Sequence, residues 1–231
     1  MNNSASGRLE AAVTDPARPE ADRVRDADRK PRELIALTGM DVGDTVAEVL
    51  PGGGYFTRIF SKLVGPQGVV YAWVPFPPPN APAGARDLAT PMRALAADAN
   101  YPNIKVANLD PGTPLPQQVG FVWTSLNYHD LHNRPDADLA VENRMIWNAL
   151  KPGGLYMVID HVAQKGSGLR DTSTLHRIDP DVVLKEVAAA GFKLIVKSDV
   201  LKHSDDDHTR SSHEVPRGKT DQFVFLFQKP A

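Results

Sequence analysis

Residues Thr45 to Leu63 read TVAEVLPGGGYFTRIFSKL, and the fold turns on how this run divides. Thr45 to Leu50 is apolar apart from one acid, Glu48, and has the length of a buried strand, while Tyr55 to Val64 spaces its apolar residues as a helix does. Between them stand Gly52, Gly53 and Gly54. Three glycines here permit a tight turn and let a ligand approach bare backbone at a helix N-terminus, where N–H groups are unpaired. The same triplet serves as a plain turn equally often. Glu48 favours the ligand, because a carboxylate near the end of a buried strand is costly unless a cation or donors meet it.

Outward from this run, apolar strands alternate with helical segments, the pattern of a sheet covered by helices on both faces. Strands are predicted at Thr45–Leu50, Val69–Trp73, Ile104–Ala107, Val119–Thr124, Leu155–Asp160, Phe192–Ser198 and Gln222–Phe227. Helices are predicted at Tyr55–Val64, Arg86–Ala99, Asp138–Leu150 and Pro180–Ala190, the last stopped by Gly191. The expected fold is α/β: a Rossmann-like, doubly wound, seven-stranded sheet. It is mostly parallel, with an antiparallel last strand, because the polar loop LKHSDDDHTRSSHEVPRGK replaces a crossover helix. Residues 1–18 read as a flexible lead, and 19–231 as a single domain that includes an amphipathic helix interrupted near Pro31. These N-terminal helices should cover the first sheet edge or the ligand mouth. The proline-rich run VPFPPPNAPAGA after the second strand is stiff and extended.

Composition narrows the function classes. A chain of 231 residues with 42% apolar content holds one sizeable core. A net charge of −2 without basic blocks gives nucleic acid nothing to bind. No window approaches the roughly 18 apolar residues of a membrane span, and the start lacks the order of an export signal. The absence of cysteine removes disulfides and thiolate chemistry.

The segments DRKPRELIAL, EVLPGGGYFT, LNYHDLHNRP, LKPGGLYMVIDH and DTSTLHRID together resemble class I S-adenosylmethionine-dependent methyltransferases, specifically a bacterial group of them, over about Asp28 to Lys229. The resemblance implies that Glu48 faces the amino-acid moiety of the cofactor, with the Gly52–Gly54 backbone beneath it and Leu50 where the class pattern has its first glycine. It also implies an acid at the end of the second strand for the ribose. Here that place reads Trp73, Val74, Pro75, so the clamp is missing or comes from elsewhere. Trp73 is expected either to wall the adenosine or to fill the core. Asn108 and Asp110 stand where the class contacts adenine, or else close a turn.

After the fourth strand, Asn127, Tyr128, His129 and Asp130 crowd the position that faces the transferable group, where open sheets put their ligands. His129 is the expected base for a hydroxyl or amine acceptor, its tautomer fixed by Asp130 or Asp160. Asp160 and His161 end the fifth strand, and His161 competes for the same role. His176 and Arg177, with Tyr128, are candidate substrate contacts, while Asp179 before Pro180 reads as a helix cap. His129, Asp130, Asp160, His161 and His176 suit a divalent metal chemically but lack a compact ligand spacing, so a metal is the lesser expectation. His203, His208 and His213 read as a solvated loop or a lid. The reading is a methyltransferase for a small-molecule acceptor, oxygen favoured, in the cytosol where the cofactor is made, with export left open. A homodimer is an allowed assembly. The alternatives are a small-molecule-binding protein on the same fold and a metal-dependent hydrolase.

Overall fold

A computed structural model describes residues 4–78, 80–82, 87–134 and 137–231. In chain order the elements are α1 (Ala5–Val13), α2 (Glu20–Arg23), α3 (Asp26–Arg29), α4 (Pro31–Ala36), β1 (Thr45–Val49), α5 (Tyr55–Val64), β2 (Val69–Val74) and α6 (Ala89–Ala96). They continue with β3 (Ile104–Asn108), β4 (Val119–Ser125), α7 (Tyr128–His132), α8 (Leu139–Ala149), β5 (Leu150–His161), α9 (Pro180–Ala189), β6 (Lys193–Ser198) and β7 (Gln222–Gln228). The strands form one sheet in the order β3-β2-β1-β4-β5-β7-β6. β1 to β5 pair in parallel, and β7 slots between β5 and β6, antiparallel to both. The chain reverses its direction of travel across the sheet between β1 and β4, and such switch points open a crevice at the strand ends.

Strand parity decides which side chains reach that crevice. Val70, Ala72 and Val74 pack on the α5 face of the sheet with Val46, whereas Tyr71 and Trp73 pack on the α8 face with Ala47 and Val49. Glu48, in register between Ala72 and Trp123, points to the α5 face. On that face Phe56, Phe60 and Trp123 form an aromatic cluster with centroids 4.8–5.7 Å apart.

Two expectations change. The lead expected to be loose is helical over Ala5–Val13, where the Ser4 hydroxyl accepts from Gly7 N and the helix buries Ala12 and Val13. The amphipathic segment after it is interrupted at Pro31 as expected, where Lys30 turns left-handed (φ 44°) and Pro31, lacking an N–H, can only start a new helix, but it also breaks between α2 and α3, at Val24 and Arg25. The helix expected from Arg86 runs over Ala89–Ala96; Arg86 itself lies outside the described residues.

Candidate functional site

The turn from β1 into α5 is built by Leu50 (φ 49°), Gly52 (φ 59°) and Gly54 (φ 82°). Glycine adopts these angles freely, whereas Leu50 pays for its own by roughly 1–2 kcal/mol. Gly54 is also sterically required, since a Cβ there would lie 2.6 Å from Leu95 Cδ2; it packs α5 against α6 rather than facing ligand space. Gly52 and Gly53 do face that space: a Cβ on either would meet nothing within 4 Å. Their backbone floors a cavity of about 750 Å³ walled by Glu48, Asn127 and Asp130, with Arg25 and Arg29 above.

Two acceptors in this cavity await donors. Glu48 is buried and accepts from Thr57, through Oγ1 at 2.5 Å and through the backbone N–H. Burial pushes its pKa up to about 8, and the Thr57 hydrogen bond and the charges of Arg29 and Arg58 only partly offset this. Asn127 donates through Nδ2 to Val49 O and Leu50 O, both at 3.0 Å, clamping β4 to the turn and leaving Oδ1 buried without a partner. Such an orphan normally costs about 1–3 kcal/mol. A protonated amine carries the donors and the charge that both groups lack.

The roof comes from the N-terminal helices. Arg29 donates to Ser125 Oγ at 3.0 Å and stacks over Tyr55 and Phe56, 4.3 and 4.7 Å from the ring centroids. Burial, then the nearby Arg25, lowers its pKa to about 10. The Tyr55 hydroxyl donates to Asp26, which also pairs with Arg18, tying the roof to α5. The sequence allowed these helices either the first sheet edge or the mouth, and it did not single out Arg25 and Arg29; their one-turn spacing on an amphipathic segment was the available signal. A second cavity, about 390 Å³, shares Arg25, Arg29 and Leu126 with the first and reaches His161 and His213.

Between the cavities lies the histidine group. Asp160, fully buried, accepts from His129 N at 2.8 Å, from His161 N at 2.8 Å and from His129 Nδ1 at 2.9 Å. Burial opposes charge on both partners, yet their mutual attraction wins, lowering the pKa of Asp160 and raising that of His129, to which Asp130 also contributes. Asp160, not Asp130, therefore sets the His129 tautomer, and Asp130 stands 3.4 Å from the other ring nitrogen. Burial drives His161 the other way, down to about 4, so it is neutral at ordinary pH, with Nδ1 buried and unpartnered. His176 lies beside His129, and His213 meets His176 edge-on with ring centroids 4.4 Å apart, so one of the three loop histidines joins the site.

Several predicted site residues lie elsewhere. Trp73 faces α8 by strand parity, fully buried, its Nε1 donating to Asn108 O at 2.8 Å; it does not line the glycine-turn cavity. Asn108 is a loop anchor, its Oδ1 accepting from Phe76 N. Tyr128 is core: its hydroxyl bonds Glu186 and Asn143. Arg177 is a buried structural cation that pairs with Asp206 and donates to Val162 O and Arg210 O, with no edge left for a substrate. Asp179 caps α9 as expected, accepting from Asp181 N. At the place of the ribose acid, Val74 and Pro75 line the cavity, and Asp87, at the foot of α6, brings a carboxylate to the same wall. A depression of about 870 Å³ along α8 and α9 contains none of the predicted site residues.

No family model matches the chain, and no curated protein matches it in sequence. Solved structures match in fold. A SAM-dependent methyltransferase from Aquifex aeolicus aligns with a TM-score of 0.63 at 17% identity, over 91% of this chain and 95% of that one. The 4+2 cyclase SpnF aligns with a TM-score of 0.60 at 15% identity, over 89% of this chain and 82% of that one. Human N-acetylserotonin methyltransferase in complex with SAM aligns at 0.55 and 14% identity, over 99% of this chain and 57% of that one. The chain thus has the Rossmann-like fold of class I SAM-dependent methyltransferases.

Proposed function

We propose that this protein is a S-adenosylmethionine-dependent methyltransferase that acts on a small-molecule acceptor, with oxygen the favoured acceptor atom. The observation that carries this reading is the pair of buried acceptors, Glu48 and Asn127 Oδ1, converging over a bare glycine floor at the sheet's switch point. The cofactor's amino group fits that pair, Gly52 and Gly53 leave room beneath its amino-acid moiety, and Asp87 offers a carboxylate to the ribose in place of the missing strand-end acid. When bound, the cofactor supplies an electrophilic methyl group on a sulfonium. The chain's own residues position the acceptor in the second cavity and take its proton at the edge formed by His129, Asp130 and His161, with Asp160 holding His129 in place. Positioning supplies most of the rate, and proton removal adds roughly 10²–10⁴-fold.

Among the described residues no helix is long and apolar enough to cross a membrane, and a cytosolic location, where the cofactor is made, belongs to the same proposal. Calorimetric titration with S-adenosylhomocysteine is the first test, followed by methyl transfer from labelled cofactor to a panel of phenols, catechols and amines. Tight binding of the product analogue supports the reading. No binding at millimolar ligand would instead favour a small-molecule-binding protein on the same fold, a case supported by Leu50 in place of a glycine and by the absent strand-end acid.

A further inference from the structure

Three side chains meet at the rim of the glycine-turn cavity in a way that the cofactor cradle does not explain. His129 and His176 are far apart in sequence, yet one ligating atom each from His129, Asp130 and His176 falls within 4.8 Å of the others. His129 Nε2 is 3.4 Å from Asp130 Oδ1, and His176 Nδ1 is 3.9 Å from the same oxygen. Two ligands of a tetrahedral zinc-type ion, each about 2.1 Å from the metal, are about 3.4 Å apart. The group is therefore near ligand spacing already, and small side-chain rotations close the remainder.

The tautomer sharpens the point. His129 Nδ1 faces the ionised Asp160 carboxylate at 2.9 Å and carries the proton, so Nε2 of the neutral ring turns a lone pair toward the lone pairs of Asp130. Two acceptors so placed repel unless positive charge sits between them. A proton would answer for His129 and Asp130 alone. It would leave His176, whose Nδ1 is turned to the same point 3.9 Å from Asp130 Oδ1, without a share in it. His176 is also held with φ 51°, a left-handed backbone that a non-glycine residue adopts at a cost and that recurs at functional sites. Behind His129, the Asp160 carboxylate on the distal ring nitrogen is the usual outer support of a metal-bound histidine.

We propose that His129, Asp130 and His176 bind a divalent first-row transition cation. Two imidazoles and one carboxylate suit zinc, cobalt, nickel or ferrous iron rather than magnesium or calcium, which require mainly oxygen ligands. Three protein ligands leave a position open, and because Asp130 lines the glycine-turn cavity, the ion would sit beside the cofactor cradle. Binding of the cation needs no cofactor. Only its role, polarising an acceptor hydroxyl, rests on the methyl-transfer reading, and with the ion bound His129 serves as a ligand and not as the base.

The test uses protein stripped with a chelator and then titrated, without cofactor, with Co²⁺ by visible absorption and with Zn²⁺ by calorimetry. One equivalent is expected to bind. His176→Ala, a half-exposed position, should weaken binding at least tenfold, and Asp160→Asn should weaken it by about 10–100-fold through the lost outer support. His208→Ala removes a histidine–carboxylate pair outside the group, with Asp221 at 3.0 Å, and should change nothing. The proposal is overturned if no equivalent binds, if binding survives both His176→Ala and Asp130→Asn, or if His208→Ala abolishes it. Titration of the same proteins with S-adenosylhomocysteine separates the two readings: metal bound without S-adenosylhomocysteine leaves this site standing and removes the methyltransferase, and the reverse removes only the metal.

Discussion

Replacing Glu48 by Gln probes the cradle most directly, because the structure fixes the sign of several effects at once. In the protein without ligand the carboxyl is buried with Thr57 as its hydrogen-bond donor and stays protonated up to about pH 8 instead of its ordinary 4.5. Between those values the folded state holds a proton that the unfolded state has released, so stability falls as pH rises through the window. At ~1.4 kcal/mol per pH unit the full effect approaches ~5 kcal/mol, and local relaxation will leave a few of these. Glu48→Gln carries no such liability. Its urea midpoint should match the parent's near pH 5 and exceed it near pH 8. Ligand binding should show the converse. An ammonium group pairs with the ionised carboxylate, so affinity for S-adenosylhomocysteine should rise about tenfold per pH unit from pH 6 to 8, with close to one proton released per ligand at pH 6. Calorimetry in two buffers of different ionisation enthalpy reads that proton. The variant should bind weakly, without pH dependence or proton release. Parent affinity that is flat in pH, or variant binding as tight as the parent's, would refute the placement of an ammonium at Glu48.

Three further outcomes follow from named contacts. His129→Gln should lower turnover by about 10²–10⁴-fold while leaving S-adenosylhomocysteine affinity near the parent value, since His129 stands beyond the cradle; equal loss in both would make the residue structural. Trp73→Phe should leave S-adenosylhomocysteine affinity unchanged, because the indole faces α8; a tenfold loss measured by calorimetry would restore it to the cofactor wall. Arg177→Met strands the buried Asp206 carboxylate and should cost about 3–5 kcal/mol in denaturant unfolding, without altering turnover per folded molecule; a stable variant with impaired KM would make Arg177 a substrate contact.

What the sequence showed depended on the range of the interaction. Strand and helix identities are local, and the alternation around TVAEVLPGGGYFTRIF placed all seven strands and the major helices close to their observed positions. Glu48 stood out because an acid in an apolar run is locally anomalous. The sequence left Trp73 between the cofactor wall and the core, and it misplaced Arg177, because their roles depend on which face of the sheet they occupy and on what arrives from distant chain. Parity separates Trp73 from Val74 by a single position, and the partner of Arg177 is Asp206, in a loop that no periodicity orders. His129, Asp130 and His176 were legible only as part of a larger set of five suited to a metal, since ligand spacing in sequence detects sites built on one helix or loop, and this one spans two.

The position of β7 between β5 and β6 has a consequence for synthesis. As the chain emerges, β6 appears while β5 still presents an unpaired edge, and β7, which must occupy that edge, follows only after the loop that starts beyond Ser198. A nascent chain that paired β6 directly with β5 would leave β7 no slot and would have to unzip. Translation speed through that loop therefore decides how long the wrong partner is the only one available. Thr220 and Gln222, at the entry to β7, also line the second cavity, so that cavity is completed only after β7 has emerged.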